Sequence, residues 1–513
     1  MNITLRRFPY NYLPYEERLL LREAQTIGGI VKADDLKVQL SVVGADVELV
    51  LSRLHRLTYF SHFSIGHGPV IPTQQFLLET TANGSGNGAR QSTRYSTHGL
   101  HEYKGKFHPQ IARYLMAHSG LTTQSLVLDP FAGSGTVLVE AVHYGCNAVG
   151  IEANPLAALV ANSKLKLLTS SDRELKQFEK VVEGSVAKLG TRKSVKGLAK
   201  ELELEAATLD YLQSWFPSPV LLLLLEFRAS CREGLGLEWA RVSDSLVSSI
   251  AREVSHQDPA DLRIRRRKKP LDDAPVAGLL GSVLKTVMTR TVAARNLFGD
   301  SPTYATELAG DSRNLRSVLA SVDRTSVDAI ITSPPYATAL PYIDTSRLSL
   351  VLLGLCTASD LRRLERTQIG NREITPSERK QGEEAMESKL QSLPREVHLF
   401  IKRLLRKLKG SDAGFRRLNM PVLLLQYFSD MQAVLKQTHA VLSQTGSSHW
   451  LVGPNRTQIG GNWLDIDTPR WIATIAEDVG FSSKVEELDA YQRFSLHQRN
   501  AIRQEFLISM RPV

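Results

Sequence analysis

The chain has few cysteines and no long apolar run. Its three cysteines, Cys146, Cys231 and Cys356, lie far apart in 513 residues. This spacing fits neither a zinc site nor a disulfide framework and predicts a reducing compartment. No apolar run approaches the roughly 18 residues of a membrane span, and the first residues lack the apolar core of a signal peptide. We therefore expect a cytoplasmic protein with no membrane partner and no metal.

Acidic residues are also scarce relative to basic ones. The chain has 63 Lys and Arg against 53 Asp and Glu, a formal net charge of +10. This balance favours a polyanionic partner but does not identify it. With 42% hydrophobic residues, the chain can bury one large core or form two to three domains.

The most unusual stretch is Ser333-Pro334-Pro335-Tyr336, which follows the mostly apolar residues 327–331. Two successive prolines fix φ and have no N–H, so carbonyls around them are left without partners in a sheet. Together with the Ser333 hydroxyl and the Tyr336 ring, they would form a rigid cup that accepts hydrogen bonds and stacks on a planar group. A flipped nucleobase with an exocyclic amine fits this description. For these residues alone, a polyproline turn at a strand end is the simpler explanation.

A second motif, about two hundred residues upstream, favours a functional role for Ser333-Pro334-Pro335-Tyr336 over a simple turn. The apolar residues 126–129 run into a turn that contains Gly133 and Gly135, and a helix is predicted over residues 137–144. Glycines permit a tight turn and the close approach of a ligand. The free N–H groups at the start of the helix favour a carboxylate or a phosphate.

The next predicted strand ends in an acidic residue. Glu152 follows Asp129 by 23 residues and is placed to bind ribose hydroxyls in a doubly wound fold. Position 138 is Leu, where a dinucleotide fingerprint has its third glycine. Together with Asp129 at the end of the first strand, this favours S-adenosylmethionine over NAD.

Both motifs resemble those of the amino-methyltransferases that act on DNA at adenine N6 or cytosine N4. The cofactor turn of that family reads Asp-Pro-Phe-x-Gly-Ser-Gly-Thr, as at residues 129–136, and its catalytic motif reads Asp/Asn/Ser-Pro-Pro-Tyr/Phe, as at residues 333–336. Residues 101–110 resemble the segment beside the cofactor turn. Gly310-Asp311-Ser312 resembles the third-strand motif whose carboxylate contacts the adenine ring, although alone it would be interpreted as a turn. The resemblance covers residues 95–166 and 307–511.

The resemblance implies an α/β fold with a doubly wound, Rossmann-like sheet of seven strands, and S-adenosylmethionine as the cofactor. It implies the catalytic residues Ser333, Pro334, Pro335 and Tyr336. The cofactor-binding residues that it implies come from four segments: Tyr103, Lys106, Phe107, Pro109, Asp129, Pro130, Phe131, Gly133, Ser134, Gly135, Thr136, Glu152, Ala153, Asn154, Asp311 and Ser312.

The resemblance also bears on the substrate. Within the family, Ser at the first motif position is associated with cytosine N4, and Asp or Asn with adenine N6. Cytosine N4 in double-stranded DNA is therefore favoured, with a cognate restriction endonuclease as a candidate partner. The expected location is the cytoplasm of a bacterium or archaeon, in association with the nucleoid. Adenine N6, an RNA amine and a DNA-binding protein that has lost catalysis stay open as alternatives.

The remaining sequence predicts the domain organisation. Residues 1–80 form a small helical or winged-helix-like domain, with helices over 15–24, 33–40 and 46–57 and a hairpin over 59–71; a cap that packs on the main domain fits equally well. Residues 81–94 are a linker. Residues 95–169 are the cofactor-binding half and 304–513 the catalytic half of a methyltransferase domain, and residues 170–303 are a helical insertion.

The insertion contains a dense basic run that is the predicted DNA contact. A basic run is usually a solvated loop, but in a DNA enzyme contact with phosphates is the better explanation. Residues 360–421 are also strongly charged and form a second candidate for DNA contact. The basic residues of the run are Arg263, Arg265, Arg266, Arg267, Lys268 and Lys269.

Overall fold

A computed structural model shows the fold. It describes residues 1–44, 46–83, 92–103, 105–192, 194–261, 264–299, 303–337, 342–408, 414–459, 462–488 and 504–513. Arg263 and most of the predicted linker lie outside these residues.

The N-terminal unit is built on a five-stranded antiparallel sheet with the order β2-β3-β1-β4-β5. The predicted hairpin over residues 59–71 is confirmed as β4 and β5, and two of the predicted helices are confirmed as α1 and α2. The elements are β1 (Asn2–Arg7), α1 (Pro14–Gln25), β2 (Gly29–Ala33), β3 (Lys37–Ser41), α2 (Val47–His55), β4 (Phe60–Ile65), β5 (Ile71–Pro72) and α3 (Gln74–Asn83).

The helix predicted over residues 33–40 is wrong. β2 and β3 pair there as a hairpin, and Asp34 fixes the turn because its carboxylate accepts hydrogen bonds from the amides of Leu36 and Lys37, both at 2.9 Å. Val38 and Leu40 are buried and alternate with more exposed residues, which is the two-residue period of a half-buried strand. The predicted combination of three helices and a hairpin is therefore replaced by a sheet-based unit.

The cofactor-binding half alternates helices and strands. After a short 3-10 turn, Ser96–Gly99, it contains α4 (Pro109–His118), β6 (Leu126–Asp129), α5 (Thr136–Tyr144), β7 (Asn147–Glu152) and α6 (Pro155–Thr169).

The insertion is mostly helical, as predicted. Its helices pack on α6 through a core cluster that includes Leu159, Leu246 and Leu284. The last helix is long and apolar enough to cross a membrane by length and composition, but it packs along the folded protein, and Arg295 on it donates a hydrogen bond to the carbonyl of Leu168 at 2.9 Å. The helices are α7 (Asp172–Ala187), α8 (Val195–Glu201), α9 (Ala206–Trp215), α10 (Ser218–Gly234), α11 (Leu237–Ala251) and α12 (Val276–Phe298).

The catalytic half returns to the sheet. Its elements are β8 (Ala305–Ala309), α13 (Leu315–Ala320), β9 (Val327–Thr332), α14 (Tyr342–Leu352), α15 (Leu361–Thr367), α16 (Pro376–Glu384), α17 (Met386–Leu390), α18 (Arg395–Leu408), α19 (Phe415–Leu418), α20 (Met420–Val441), β10 (Leu442–Val452), β11 (Asn455–Ile459), β12 (Asn462–Ile466), α21 (Thr468–Val479), β13 (Phe481–Leu488) and β14 (Glu505–Pro512).

The predicted seven-stranded, doubly wound sheet is confirmed. Its order is β13-β14-β10-β9-β6-β7-β8. The strands from β10 to β8 are parallel, and β14 is antiparallel to both of its neighbours. The chain moves outward from β6 to β8 and then crosses to β9 on the other side of β6. Ligands of such sheets bind beyond the carboxyl ends of the strands at this switch point.

The N-terminal unit packs on the main sheet. Its buried residues, such as Leu19 and Phe63, share one core with Val127 of β6. The guanidinium of Arg22 pairs with Glu486 of β13 at 2.7 Å. At the end of α2, the guanidinium of Arg56 lies 4.9 Å from the ring centre of Tyr144. These contacts support the interpretation of the unit as a cap on the main domain.

Candidate active site

The glycine turn and the double-proline motif meet at the switch point. Gly133 follows β6 and Ser333 follows β9, and these strands are parallel neighbours. Gly133, Ser333 and Pro335 line one cavity. The two motifs, separated by two hundred residues, therefore face a common space.

Seven of the predicted cofactor-binding residues line this cavity. They lie in three groups at the ends of β6, β7 and β8 and in the segment before α4. They are Tyr103, Phe131, Gly133, Glu152, Ala153, Asp311 and Ser312.

Glu152 is held in place by the turns around it. Its carboxylate accepts hydrogen bonds from the amide of Gly133 at 2.8 Å and from the amide of Asn154 at 2.7 Å. Burial raises the pKa of Glu152, while these hydrogen bonds lower it. The amide of Ala153 also hydrogen-bonds this carboxylate, so three of its four acceptor sites are used and one is left for a ligand hydroxyl.

The glycines of the turn each meet a specific requirement. Gly133 has φ +51° and Gly135 has φ +77°, both in the left-handed region that only glycine adopts readily. A Cβ on Gly133 would lie 3.4 Å from the ring of Tyr103, so that ring covers the turn closely. At Gly135, a Cβ would lie 2.8 Å from the Cβ of Ala161, because α6 crosses directly behind the turn.

Other predicted cofactor residues support the turn and do not line the cavity. Asp129 accepts hydrogen bonds from the Thr332 hydroxyl at 2.6 Å and the Phe131 amide at 3.0 Å, so it links the ends of β6 and β9. Burial raises its pKa to about 7. The carbonyl of Pro130 accepts a hydrogen bond from the Ser312 hydroxyl, and that of Ser134 accepts one from the buried Lys164 at 2.6 Å.

Two further residues of this supporting group lie at the starts of helices. Thr136 begins α5. Asn154 caps α6 because its side chain accepts a hydrogen bond from the Leu156 amide at 3.0 Å. The Asn154 side chain also hydrogen-bonds the Tyr103 hydroxyl, which connects the ring above the glycine turn to the end of β7.

A larger cleft of about 1990 Å³ adjoins the cavity. Ser333 lines both spaces, whereas Pro334 and Tyr336 line only the cleft. The predicted cofactor residues Lys106, Phe107 and Pro109 also line the cleft and not the cavity. The double-proline motif therefore forms part of the boundary between the two spaces.

Tyr336 is fixed on three sides. Its hydroxyl donates a hydrogen bond to Glu505 at 3.1 Å and hydrogen-bonds the Ser333 hydroxyl. A Cβ on Gly453 would lie 2.8 Å from its ring, so only glycine leaves room there. Burial and the nearby Glu505 carboxylate raise the pKa of Tyr336 well above its ordinary value, which keeps the hydroxyl protonated.

Sequence reasoning missed several cavity residues. Tyr342 lines both spaces. Its hydroxyl accepts a hydrogen bond from the Tyr336 amide, and burial raises its pKa to about 12. Thr367, Gln368 and Ile369 form another wall of the cavity. Gly105, two residues after Tyr103 in the segment before α4, also lines both spaces.

The described residues of the basic run line neither of the two spaces, and some of them make contacts within the fold. The guanidinium of Arg266 donates to the Ser214 carbonyl at 2.6 Å and lies 4.6 Å from the ring centre of Trp215, and that of Arg267 donates to the Glu253 carbonyl at 2.9 Å. Lys268 and Lys269 are exposed. The sixth predicted residue, Arg263, lies outside the described residues.

Arg265 of the same run lines a separate cavity of about 780 Å³. This cavity lies between the insertion and the catalytic half, and it brings together the two basic stretches that the sequence offered as DNA contacts. Its lining includes Arg265, Arg347, Arg372 and Arg416, together with Asp344, Glu365 and Glu373.

The sequence predicted no metal, and that stays a prediction. Among the described residues, His98, Glu140 and His143 offer ligand atoms within 4.8 Å of one another. All three are buried, and Glu140 accepts hydrogen bonds from His98 at 2.7 Å and from Arg113 at 2.8 Å. The Arg113 guanidinium already balances the charge of Glu140.

Comparisons with known proteins bear on these observations. The family described as RMKL-like, methyltransferase domain matches residues 100–189. The type II methyltransferase M.MjaII of Methanocaldococcus jannaschii is 35% identical over 115 residues, 21% of this chain and 20% of that protein. M.BsoBI of Geobacillus stearothermophilus is 24% identical over 299 residues, 53% of this chain and 56% of that protein. M.AvaI of Nostoc sp. is 24% identical over 446 residues, 80% of this chain and 86% of that protein.

The coverage differs among these relatives. The chain spans about a fifth of M.MjaII and little more than half of M.BsoBI. A solved structure, the rRNA methyltransferase aviRa of Streptomyces viridochromogenes, aligns over 80% of this chain and 88% of that chain with 10% identity and a TM-score of 0.29; we draw no conclusion from so loose a match. The chain is therefore similar to type II methyltransferases over a fifth to four fifths of its length, and a methyltransferase domain matches the segment that contains the glycine turn.

Proposed function

We propose that the protein is a site-specific DNA methyltransferase that transfers a methyl group from S-adenosylmethionine to the N4 amine of cytosine. One observation carries the proposal: the Gly133 turn and two residues of the double-proline corner, Ser333 and Pro335, line one cavity at the ends of neighbouring strands. That cavity adjoins a cleft large enough for a flipped base. Ser333 lies on the boundary, where a methyl group would pass between the two spaces.

The residues of the cavity fit S-adenosylmethionine. The glycine turn lets the backbone approach a ligand closely, and the carboxylates of Glu152 and Asp311 can accept hydrogen bonds from hydroxyl and amine groups. The Tyr103 ring and Ile369 provide apolar walls for a flat base. When bound, the cofactor supplies a methyl group that is already activated for transfer. The protein then mainly needs to orient the amine that attacks it.

The target amine is a poor nucleophile because its lone pair is delocalised into the ring. Acceptors that bind both amine hydrogens localise this lone pair and stabilise the positive charge that develops. We assign these acceptor roles to the Ser333 hydroxyl and the Pro334 carbonyl. Because the Tyr336 hydroxyl gives its proton to Glu505, it can accept the hydrogen of the Ser333 hydroxyl, which leaves the lone pairs of the Ser333 oxygen free to accept from the amine. A hydroxyl is a weak general base, so the amine proton leaves to water after the transfer.

Tyr336 is assigned the stacking role. Tyr336 lines the cleft and is 9% exposed as a residue, so it presents a small surface to a base. The close fit against Gly453 and the hydrogen bond to Glu505 hold the ring in one orientation. Such a fixed ring costs little conformational entropy when a base stacks on it.

We assign the contact with the DNA backbone to the arginines that lie between the insertion and the catalytic half. Arg265, Arg347 and Arg416 reach one cavity from three separate segments, and Lys268 and Lys269 extend the basic surface. Phosphate contacts of this kind supply affinity and position the duplex without reading its sequence. We further propose that the protein acts on chromosomal DNA in the cytoplasm at the nucleoid, with a cognate restriction endonuclease as its functional partner.

The nature of the modified base tests the proposal. Duplex DNA, tRNA and rRNA are incubated with the protein and S-adenosylmethionine, and the nucleosides are analysed by mass spectrometry. We expect N4-methylcytosine from duplex DNA, and Ser333→Ala should lower the rate by orders of magnitude while S-adenosylmethionine binding is retained. Ser388→Ala, at an exposed position on α17, is the matched control. N6-methyladenine would establish the alternative base, and labelled RNA with unlabelled DNA, or full activity of Ser333→Ala, would overturn the proposal.

A further inference from the structure

The cofactor cavity has two walls that come from distant parts of the chain. Asp311 and Ser312 follow β8, whereas Thr367, Gln368 and Ile369 lie at and just after the end of α15. No strand pairing joins the second segment to the sheet among the described residues. Its position beside the cavity must therefore be set by side-chain contacts.

One side chain connects both walls. The guanidinium of Arg313 binds both oxygens of Asp311, with its Nε 2.9 Å from Oδ1 and its Nη2 2.6 Å from Oδ2. Its Nη2 also donates to the Thr367 carbonyl at 3.3 Å. Its Nη1 donates to Asp430 of α20 at 3.0 Å, which anchors the assembly on a long buried helix.

This set of contacts requires the planar guanidinium group of arginine. Three nitrogens satisfy two carboxylates and one carbonyl at once, and a lysine ammonium is a point charge that cannot match this arrangement. The side chain of Asp430 is 10% exposed and that of Asp311 is 37% exposed. Bidentate pairs in such partly buried positions fix orientation as well as charge.

We propose that Arg313 is a positioning residue of the cofactor site, which aims the Asp311 carboxylate into the cavity and holds the end of α15 against it. This inference rests on the proposed function in so far as the cavity binds S-adenosylmethionine. Arg313 itself does not line that cavity; it lines a neighbouring cavity with Asp430, Gln368 and Tyr427. It acts on the ligand only through the groups that it holds.

The charge of Asp311 provides a readout that a packing role would not change. Burial alone would raise the pKa of Asp311, but the hydrogen bonds from Arg313 outweigh it and the pKa is lowered. The other charged groups around this point are Asp430 of α20, Glu152 across the cavity, and the Arg366–Glu378 pair beyond Arg313. Without the guanidinium, burial and the facing carboxylates would raise the pKa of Asp311.

The test measures binding of S-adenosylhomocysteine, the product form of the cofactor, by calorimetry between pH 5 and pH 8. Arg313→Gln removes the charge, Arg313→Lys keeps it without the fork, and Arg316→Gln changes an exposed arginine on the adjacent helix as the matched control. We expect Arg313→Gln to weaken binding about tenfold to a hundredfold, as is typical of residues that orient a ligating group, and Arg313→Lys to be intermediate. The affinity of Arg313→Gln should fall further as the pH drops from 7 to 5, whereas wild type and Arg316→Gln stay level.

Three results would overturn the inference. Arg313→Gln could bind as tightly as Arg316→Gln, Arg313→Lys could match wild type, or the pH profile of Arg313→Gln could stay level while affinity falls. If Arg313→Gln does not fold, as judged by its thermal midpoint, Arg313→Lys carries the comparison. Binding is measured without DNA, so a wild-type protein that binds S-adenosylhomocysteine but methylates no DNA would refute the proposed substrate and leave the role of Arg313 to be decided by its own data.

Discussion

Replacing Gly135 by alanine should damage the cofactor turn in two separable ways. Gly135 precedes α5 with φ +77°, and a Cβ there would lie 2.8 Å from the Cβ and 3.1 Å from the Cα of Ala161. Ala161 is fully buried in α6, and its Cα is backbone that cannot rotate away. The substitution therefore combines an unfavourable backbone conformation with a clash against a packed helix.

The backbone strain and the clash each lower the free energy of unfolding. A non-glycine residue in the left-handed conformation costs about 1–2 kcal/mol, and an extra methyl group in a well-packed core costs typically about 1–3 kcal/mol. Together they should lower the free energy of unfolding by about 2–5 kcal/mol. This is a large part of the roughly 5–15 kcal/mol that stabilises a typical protein.

Gly120→Ala separates the two effects. Gly120 has φ +66°, and a Cβ there would meet nothing within 4 Å, so this variant should lose only the conformational share of about 1–2 kcal/mol. Urea unfolding measures both losses, and calorimetry with S-adenosylhomocysteine should show weakened binding for Gly135→Ala alone. Equal destabilisation by the two variants, or normal binding by Gly135→Ala, would refute the reasoning that α6 supports the turn.

Further predictions concern the supporting carboxylate and the basic surface. Burial raises the pKa of Asp129 to about 7, above its value in the unfolded chain, so the folded protein holds a proton there that the unfolded chain releases. The free energy of unfolding of wild type relative to Asp129→Asn should therefore fall as the pH rises from about 4 to about 7 and level off above that. Urea unfolding across this pH range measures the difference. A difference that grows with pH, or that stays constant, would contradict the assignment. For DNA, Arg265→Ala with Arg416→Ala should reduce the slope of log affinity against log salt by about two, since each lost phosphate contact removes about one. Arg173→Ala, an exposed arginine on α7, should leave the slope unchanged, and an equal slope in all variants would remove these arginines from the DNA contact.

Local sequence patterns predicted the structure correctly where a single segment of the chain determines it. The glycine spacing at Gly133 and Gly135 predicted the turn between a strand and a helix, and both glycines have positive φ in that turn. The pair of motifs was predicted to share a site through a family resemblance, because spacing alone does not reveal which strands are neighbours.

The predictions were wrong or incomplete where contacts between distant residues determine the structure. The hairpin of β2 and β3 was predicted as a helix because each strand has only five residues, too few to show a clear two-residue period. The cavity wall at Thr367–Ile369 has no motif, since its placement depends on Arg313 and Asp430. Similarly, charge counting could not reveal that the Arg266 and Arg267 guanidinium groups bind carbonyls of the insertion.

The most direct test of the account is a crystal structure of the protein with S-adenosylhomocysteine. We expect the ribose at Glu152, the adenine between Tyr103 and Ile369, and the sulfur directed across the boundary at Ser333 toward the cleft that Tyr336 lines. Binding of the ligand elsewhere, or in this cavity with its sulfur directed away from Ser333, would contradict the claim that the glycine turn and the double-proline corner form one methyl-transfer site.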